Sequence, residues 1–210
     1  MAKKILILGA SGTGKSTSIM HLDNSSTFII QCVNKLLPFK GSNKLYSKEN
    51  KNMFQTQEIN KVIGALEKIN KNENIKTLII DDFNYLMTYG YKSKAKENGY
   101  AKFETLAFGI MDILETIDGM RDTLTVYIMA HTQKDNEGKL STKTIGRFLD
   151  EKVCIEGLFT ITLLALGSET DYKFTVNGQE PAKSPIDMFE SDEIENDLKL
   201  INEKIENYYN

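Results

Sequence analysis

The sequence predicts an α/β fold in which helices flank a mainly parallel sheet. Short apolar runs, of the kind that form buried parallel strands, recur through the first 130 residues. Segments with apolar residues at helical spacing separate these runs. A glycine-rich segment, residues 9–14, follows the first run directly. Strands that alternate with helices indicate a parallel sheet, because each crossover returns the chain to the same edge.

Four apolar runs are the predicted parallel strands, at residues 4–8, 27–33, 77–80 and 124–130. Helices are predicted at residues 15–22, 59–69 and 103–117, and Gly119 is the expected stop of the last one. The intervening stretches are predicted to be irregular or loop-forming, at residues 34–54, 85–101 and 132–147.

The pattern changes after residue 150. Residues 158–166 and 172–176 predict an antiparallel hairpin that extends the sheet. A final acidic helix is predicted from Ile194, Leu198, Ile201 and Ile205. We therefore divide the chain into a domain at residues 1–185 and an acidic C-terminal helix or tail at residues 186–210.

The composition favours a cytoplasmic protein with no membrane segment. The 210 residues fit one domain, and no apolar run approaches the roughly 20 residues that a membrane helix needs. The two cysteines, Cys32 and Cys154, are too few for a disulfide framework and lack metal-ligand spacing. Both lie in apolar surroundings, so both are predicted to be buried thiols.

The charge is unevenly distributed along the chain. Residues 1–150 hold 21 Lys and Arg against 16 Asp and Glu, whereas residues 151–210 hold 5 against 13. The first part is able to meet a polyanion and the second would repel one. A basic protein is a possible partner of the acidic C-terminal part.

Residues 9–16, GASGTGKS, fit the phosphate-binding P-loop pattern G-x-x-x-x-G-K-[ST] completely. Glycines let the backbone wrap around phosphates with its N–H groups pointing inward. Lys15 is predicted to reach the β- and γ-phosphates and Ser16 to ligate Mg²⁺. The motif predicts ATP with Mg²⁺ as the ligand, bound by Gly9, Ala10, Ser11, Gly12, Thr13, Gly14, Lys15, Ser16 and Thr17.

Polar residues follow the third and fourth predicted strands. Asp81 ends a buried strand, LIID, where it is predicted to hold Mg²⁺ directly or through water. Asp82 is the candidate for positioning the attacking water, with an ordinary turn or capping residue as the alternative. His131 and Gln133 close the fourth strand, and either is a candidate sensor of the γ-phosphate.

Two segments combine features that suit single-stranded nucleic acid. Residues 85–103 interleave five aromatic rings with four lysines, and residues 134–147 carry four basic residues. Rings stack on bases and lysines follow phosphates. The alternative is a solvated loop whose rings tuck into the core. The rings are Tyr85, Tyr89, Tyr91, Tyr100 and Phe103, and the basic residues are Lys92, Lys94, Lys96, Lys102, Lys134, Lys139, Lys143 and Arg147.

The order of these parts resembles the RecA-type recombinase core. More closely, the chain is similar to the small phage-encoded, RecA-core single-strand annealing proteins of the fourth Sak group. The similar stretches are GASGTGKSTS, TLIIDDFNYLM, KTIGRFLDEK, EGLFTITL and NGQEPAKSP, within residues 3 to about 200. The resemblance implies a RecA-like fold, an ATPase that single-stranded DNA stimulates, phage recombination or annealing in the host cytoplasm, and a homo-oligomer.

The resemblance also implies sites shared between subunits. Arg147 or Lys183 is then predicted to act on a neighbour's phosphates, which makes Arg147 a candidate catalytic residue with Lys15, Asp82 and Gln133. One departure concerns the catalytic Glu that recombinases carry shortly after the second strand. Residues 30–34, IQCVN, hold no carboxylate, so either Asp82 takes over or turnover is slow.

Three other functions compete with an ATPase that acts on DNA. A small-molecule P-loop kinase normally clamps its ligands with several arginines, and this chain has only Arg121 and Arg147. A clamp-loader-like ATPase needs a helical lid after the core, whereas residues 158–176 are predicted to form strands. The third function, a nucleotide-controlled binding protein that hydrolyses little ATP, is compatible with the sequence.

Overall fold

The computed structural model describes residues 1–96, 99, 101–146, 148–168 and 171–209. These residues form ten strands: β1 (Lys3–Leu8), β2 (Thr27–Gln31), β3 (Met53–Gln55), β4 (Thr77–Asp81), β5 (Thr125–Ala130), β6 (Thr132–Lys134), β7 (Leu140–Thr142), β8 (Ile161–Ser168), β9 (Asp171–Thr175) and β10 (Glu193–Glu195). Eight of them build one sheet, in the order β10-β9-β8-β1-β5-β4-β2-β3. Strands β6 and β7 pair separately as a hairpin.

The centre of the sheet is parallel, as the sequence predicts. Strand β1 pairs in parallel with both β5 and β8, and β5 pairs in parallel with β4. Strand β9 runs antiparallel to β8, so the predicted hairpin does extend the sheet. Strand β5 therefore lies between β1 and β4, and the carboxyl ends of these three strands are neighbours.

Helices cover both faces of the sheet. The described residues form α1 (Ser42–Leu45), α2 (Ile59–Asn70), α3 (Tyr85–Ser93), α4 (Ala101–Asp118) and α5 (Leu198–Tyr209). Helices α2, α3 and α4 pack with alternate strand residues such as Leu6 and Ile80. Helix α5 packs on the opposite face with residues such as Ile5 and Tyr127. This alternation follows from the two-residue period of a strand, and it buries the sheet on both sides.

The helix after the glycine-rich loop is shorter than predicted. Residues 15–22 were expected to be helical, whereas the structure has a five-residue 3₁₀-helix, Thr17–His21. Ser and Thr side chains compete for backbone groups, and the Ser18 hydroxyl donates to the Lys15 carbonyl at 2.6 Å. So short a helix contributes little dipole, and anion binding at the loop must rest on backbone N–H groups and Lys15.

Three stretches predicted to be irregular contain regular structure. Residues 34–54 hold α1 and the start of the edge strand β3, residues 85–93 form α3, and residues 132–142 hold the β6–β7 hairpin. Helix α3 packs against α4 because Gly90 has no side chain; a Cβ there would lie 2.3 Å from a methyl group of Leu106. The aromatic and glycine content that predicts a loop is overridden by this packing.

The acidic C-terminal segment joins the sheet. Ile194, expected in the last helix, lies in β10, which pairs antiparallel with β9. The buried side of α5 consists of Leu198, Ile201 and Ile205. The Tyr127 hydroxyl donates to Asn202 at 2.7 Å, and Asn202 donates in turn to Thr77 at 3.1 Å.

The two cysteines differ in burial. Cys32 is fully buried, and burial raises the pKa of its thiol. Cys154 is exposed, which corrects the prediction that both are buried. Cys154 lies between the π-helix Phe148–Lys152 and the 3₁₀-helix Ile155–Leu158. The strand predicted to begin at residue 158 begins at Ile161, after this 3₁₀-helix.

Candidate nucleotide site

The glycine-rich loop wraps around the buried side chain of Lys15. Its ammonium group donates to the carbonyls of Gly9 and Ala10, at 2.7 Å each, and the side chain is almost fully buried. Gly12 and Gly14 have φ angles of +83° and +86°, which favour glycine. A Cβ on Gly14 would also lie 2.6 Å from the ring of Tyr172, so this ring lies against the loop.

The strand order brings the predicted groups together. A cavity of about 190 Å³ opens at the carboxyl ends of β1, β5 and β4. Ligands bind in such positions in open α/β sheets. The lining comes from the loop and from four other segments: Ser11, Gly12, Gly14, Lys15, Ser16, Thr17, Lys35, Leu36, Pro38, Asp82, His131 and Tyr172.

Asp81 has the surroundings of a cation ligand. The residue is fully buried, its Oδ1 accepts a hydrogen bond from the Ser16 hydroxyl at 2.9 Å, and its Oδ2 has no partner among the described residues. Burial and the neighbouring charge of Asp82 raise the pKa of Asp81. A buried carboxylate oxygen without a partner is costly unless a cation joins it.

Mg²⁺ fits this arrangement. The ion prefers one or two carboxylates and substrate phosphates to an all-protein cage. The described residues contain no cluster of three or more His, Cys, Asp or Glu that could hold a metal by itself. Ser16 and Asp81 are the residues that would hold Mg²⁺. When bound, the ion would neutralise charge on the phosphate oxygens.

Asp82 is held between two basic side chains. Its Oδ2 lies 2.5 Å from the Lys35 ammonium, and its Oδ1 lies 3.4 Å from Nε2 of His131. Burial works to raise the pKa of Asp82, but hydrogen bonds from His131 and Lys35 hold it below the usual value. Asp82 also adopts a left-handed conformation with φ of +60°. Strained backbone of this kind concentrates at functional sites.

Lys15 is a weakened cation. Burial lowers the pKa of Lys15 to about 8, although the carboxylates of Asp82 and Asp81 oppose the shift. Phosphate oxygens would supply negative charge beside the buried ammonium and so favour its protonated form. The side chain is therefore suited to a polyanionic ligand.

Lys35 is the site residue that sequence reasoning missed. It follows β2, and its carbonyl accepts a hydrogen bond from Gln31 Nε2 at 2.8 Å. Burial would lower the pKa of Lys35, but Asp81 and Asp82 together raise it. The rule that strand ends meet at one edge would have found Lys35, because it follows β2 by four residues.

Three further predicted residues, Gln133, Lys183 and Arg147, lie outside the cavity or outside the described residues. His131 lines the cavity, whereas Gln133, on β6, lines a separate cavity of about 700 Å³ with Lys139 and Lys183. The backbone of Lys183 is tied to Thr162 of β8 at 2.8 and 2.9 Å. Arg147 lies outside the described residues, so its predicted catalytic role stays a prediction.

The aromatic rings of residues 85–103 are arranged in two groups. Tyr85 contacts His131 edge to face at 5.8 Å and Tyr89 at 6.2 Å. Tyr91 stacks on Phe103 at 5.2 Å, with the Lys102 ammonium over both rings. Tyr100 lies outside the described residues. The first group joins the nucleotide cavity to α3.

Arg121 lies at the amino ends of the strands, opposite the cavity, where it stabilises the fold. Its guanidinium donates to the carbonyls of Ile69 and Asn70 at 2.8 and 2.7 Å, and to those of Asn72 and Ile75. The side chain therefore braces the end of α2. It is not placed to clamp phosphates, which counts against the kinase interpretation.

The fold and this site define a P-loop nucleoside-triphosphatase core: a phosphate-binding loop follows β1, and an acidic strand end lies two strands away. Residues 1–153 match the model of the AAA domain family, and the chain belongs to that family of P-loop ATPases. ATP with Mg²⁺ is the general ligand of AAA domains. A search of the curated proteins gives no match. No helix among the described residues combines the length and apolarity of a bilayer span.

Proposed function

We propose that the chain hydrolyses ATP and that the bound nucleotide controls its affinity for single-stranded DNA, in phage recombination or annealing. The observation that carries the proposal is the line of contacts from Asp82 through His131 to Tyr85. These contacts join the part of the cavity lined by Asp82 to the aromatic segment, residues 85–103. The similarity to phage annealing proteins supplies the biological context.

The residues at the cavity divide the work between binding and turnover. Lys15 and the loop N–H groups bind the phosphates, and Ser16 and Asp81 hold the cation. Asp82 stays ionised at neutral pH because its pKa is depressed. An ionised carboxylate accepts a hydrogen bond from water and orients it, which is the role proposed for Asp82.

His131 is the proposed sensor. The side chain lies beside Asp82 and its backbone N–H donates to Asn84 Oδ1 at 3.2 Å. A phosphate that draws Lys35 or His131 away from Asp82 would change the packing of His131 on Tyr85. Such a change at the start of α3 would reorient the rings that follow.

A nucleotide-controlled binding protein with little hydrolysis is the second candidate. Residues 30–34, at the end of β2, hold no carboxylate, and Lys35 beyond them neutralises Asp82 at 2.5 Å. A carboxylate in a tight ion pair is a weak base. In this case binding of ATP, rather than its turnover, would switch the protein.

The proposal predicts that single-stranded DNA binding depends on nucleotide and on Tyr91, which is 38% exposed. Stacking on one base contributes about 1–3 kcal/mol, so Tyr91→Ala should weaken binding about 5-fold to about 150-fold. Tyr91→Phe keeps the ring and is the matched control. The measurement is fluorescence anisotropy of a labelled oligonucleotide with and without a slowly hydrolysed ATP analogue.

Two results would contradict this prediction. Equal affinity with and without the analogue would separate the nucleotide from DNA binding. Absence of binding at low and high salt, in every nucleotide state, would remove the DNA role and leave the P-loop ATPase.

A further inference from the structure

A second cavity lies beside the nucleotide cavity, and Lys35 and Leu36 line both of them. Its volume is about 730 Å³, which is within the usual size of small-ligand sites. One side is formed by the carboxyl ends of β2 and β3, and the other by α1 and the residues that follow it, to residue 49. Because Lys35 pairs with Asp82, the second cavity adjoins the Asp82 end of the nucleotide cavity.

Two glutamine side chains lie next to each other at the edge of this second cavity. Gln31 ends β2, Gln55 ends β3, and the two residues are partners in the parallel register. Partners in neighbouring parallel strands project to the same face of the sheet, about 4.8 Å apart. That face is the α5 side, because Ile29, two residues before Gln31, packs with the core there. The two amides are therefore side by side on one face.

Gln31 is held rigidly but keeps a free acceptor. The residue is 3% exposed, its Nε2 donates to the Lys35 carbonyl at 2.8 Å, and its own carbonyl accepts from the Thr56 N–H at 3.1 Å. No described residue donates to its Oε1. Buried amide oxygens normally have a partner, so a ligand in the second cavity has an acceptor waiting at a fixed position.

The rest of the second cavity combines an apolar floor with a basic rim. The floor consists of Leu37, Tyr46 and Met53. Lys35 and Lys48 line the rim, and Glu49 is the one acidic residue among the described residues of the lining. An apolar floor suits the face of a nucleobase, amides suit its edge, and lysines suit a phosphate. Glutamine is the usual bidentate partner of adenine.

We propose that the second cavity binds an adenine nucleotide in addition to the ATP in the phosphate loop. Gln31 and Gln55 would contact the edge of the base, and Lys35 and Lys48 the phosphate. The ligand is either a free mononucleotide or one unit of a DNA strand, since both present the same base and phosphate.

Lys35 links this second site to ATP turnover. Its side chain is 42% exposed and lies 2.5 Å from Asp82, so it has room to turn towards a phosphate in the second cavity. Asp82 would then lose its ion pair and accept a hydrogen bond from water more strongly. This effect rests on the function proposed above, in which Asp82 orients the attacking water, whereas binding to the second cavity does not.

The test of binding is equilibrium dialysis with radiolabelled dAMP. A saturating, slowly hydrolysed ATP analogue with Mg²⁺ occupies the phosphate loop, so that dAMP reports on the second cavity. Gln55→Ala should weaken dAMP binding about 5-fold to about 150-fold, the effect of losing a bidentate contact to a base. Gln55 is exposed, so its loss should spare the fold. Gln57→Ala, also exposed and outside the lining, is the matched control.

The same variants, tested with labelled oligo(dA), distinguish the two sources of the ligand. If Gln55→Ala weakens dAMP binding, a free mononucleotide is enough to fill the second cavity. If it weakens only the oligonucleotide, the ligand is a unit of a DNA strand. The proposal is overturned if Gln55→Ala binds both as tightly as Gln57→Ala does, or if the wild-type chain binds neither.

The link through Lys35 has its own test. Addition of the ligand that binds should raise ATP turnover by the wild-type chain severalfold, and Lys35→Met should remove this response because no ammonium is left to move. A ligand that binds in the dialysis but leaves turnover unchanged would refute the link. A chain that hydrolyses no ATP would refute the proposed function and leave the dialysis result standing, so the two failures are distinguishable.

Discussion

Replacing Lys15 with alanine is expected to weaken ATP binding by on the order of 100-fold while the fold persists. The reason is that a charge-assisted hydrogen bond contributes about 1.5–3 kcal/mol, and each 1.4 kcal/mol is tenfold in affinity. The buried ammonium now donates to the carbonyls of Gly9 and Ala10. Isothermal titration of the folded variant with Mg²⁺-ATP measures the loss.

The pH profile provides a control for this assignment. Phosphates bind the protonated ammonium, and the pKa of Lys15 is about 8 in the free protein. Affinity for ATP should therefore fall as the pH rises above 8, because the free protein must then take up a proton to bind. Lys15→Arg stays charged and should lack this fall. Unchanged affinity of Lys15→Ala, with its circular dichroism intact, would refute the role of Lys15.

Asp82→Asn is expected to lower ATP turnover by on the order of 100-fold and to spare ATP binding. A positioned acid or base contributes about 10²–10⁴-fold to a rate, and the amide keeps the shape of the carboxylate without its charge. The substitution also frees Lys35, which now lies 2.5 Å from Asp82. A freed cation at the cavity should leave ATP affinity equal or tighter.

Asp112→Asn makes the same chemical change at an exposed position on α4 and should turn over ATP at the wild-type rate. The informative comparison is the rate at saturating ATP, since binding and chemistry then separate. If Asp82→Asn hydrolyses ATP as fast as Asp112→Asn, another group positions the water.

The parallel strands and the phosphate loop were predictable because their signals are local. Buried parallel strands consist of continuous apolar residues, and the loop needs glycines at fixed positions before Lys15. The hairpin that extends the sheet was equally visible, from two apolar runs around a turn. Asp81 was predictable as the last residue of such a run, and the structure places its Oδ1 2.9 Å from the Ser16 hydroxyl.

The elements that sequence reasoning missed depend on contacts between distant segments. Helix α3 contains Gly90 and several aromatic residues, and its packing on Leu106 of α4 has no local signal. The position of Lys35 after β2 places it at the carboxyl edge of the sheet, but its contact with Asp82 follows only from the strand order, which places β2 beside β4. Strand β10 is too short for periodicity to separate it from the helix that follows.

The most direct test of the proposed function is the rate of Mg²⁺-dependent ATP hydrolysis by the wild-type chain, with and without single-stranded DNA. Hydrolysis is expected to require Mg²⁺ and to rise when oligonucleotide is added, because contacts from Asp82 through His131 to Tyr85 join the cavity to the aromatic segment. A rate that saturating oligonucleotide leaves unchanged would contradict it.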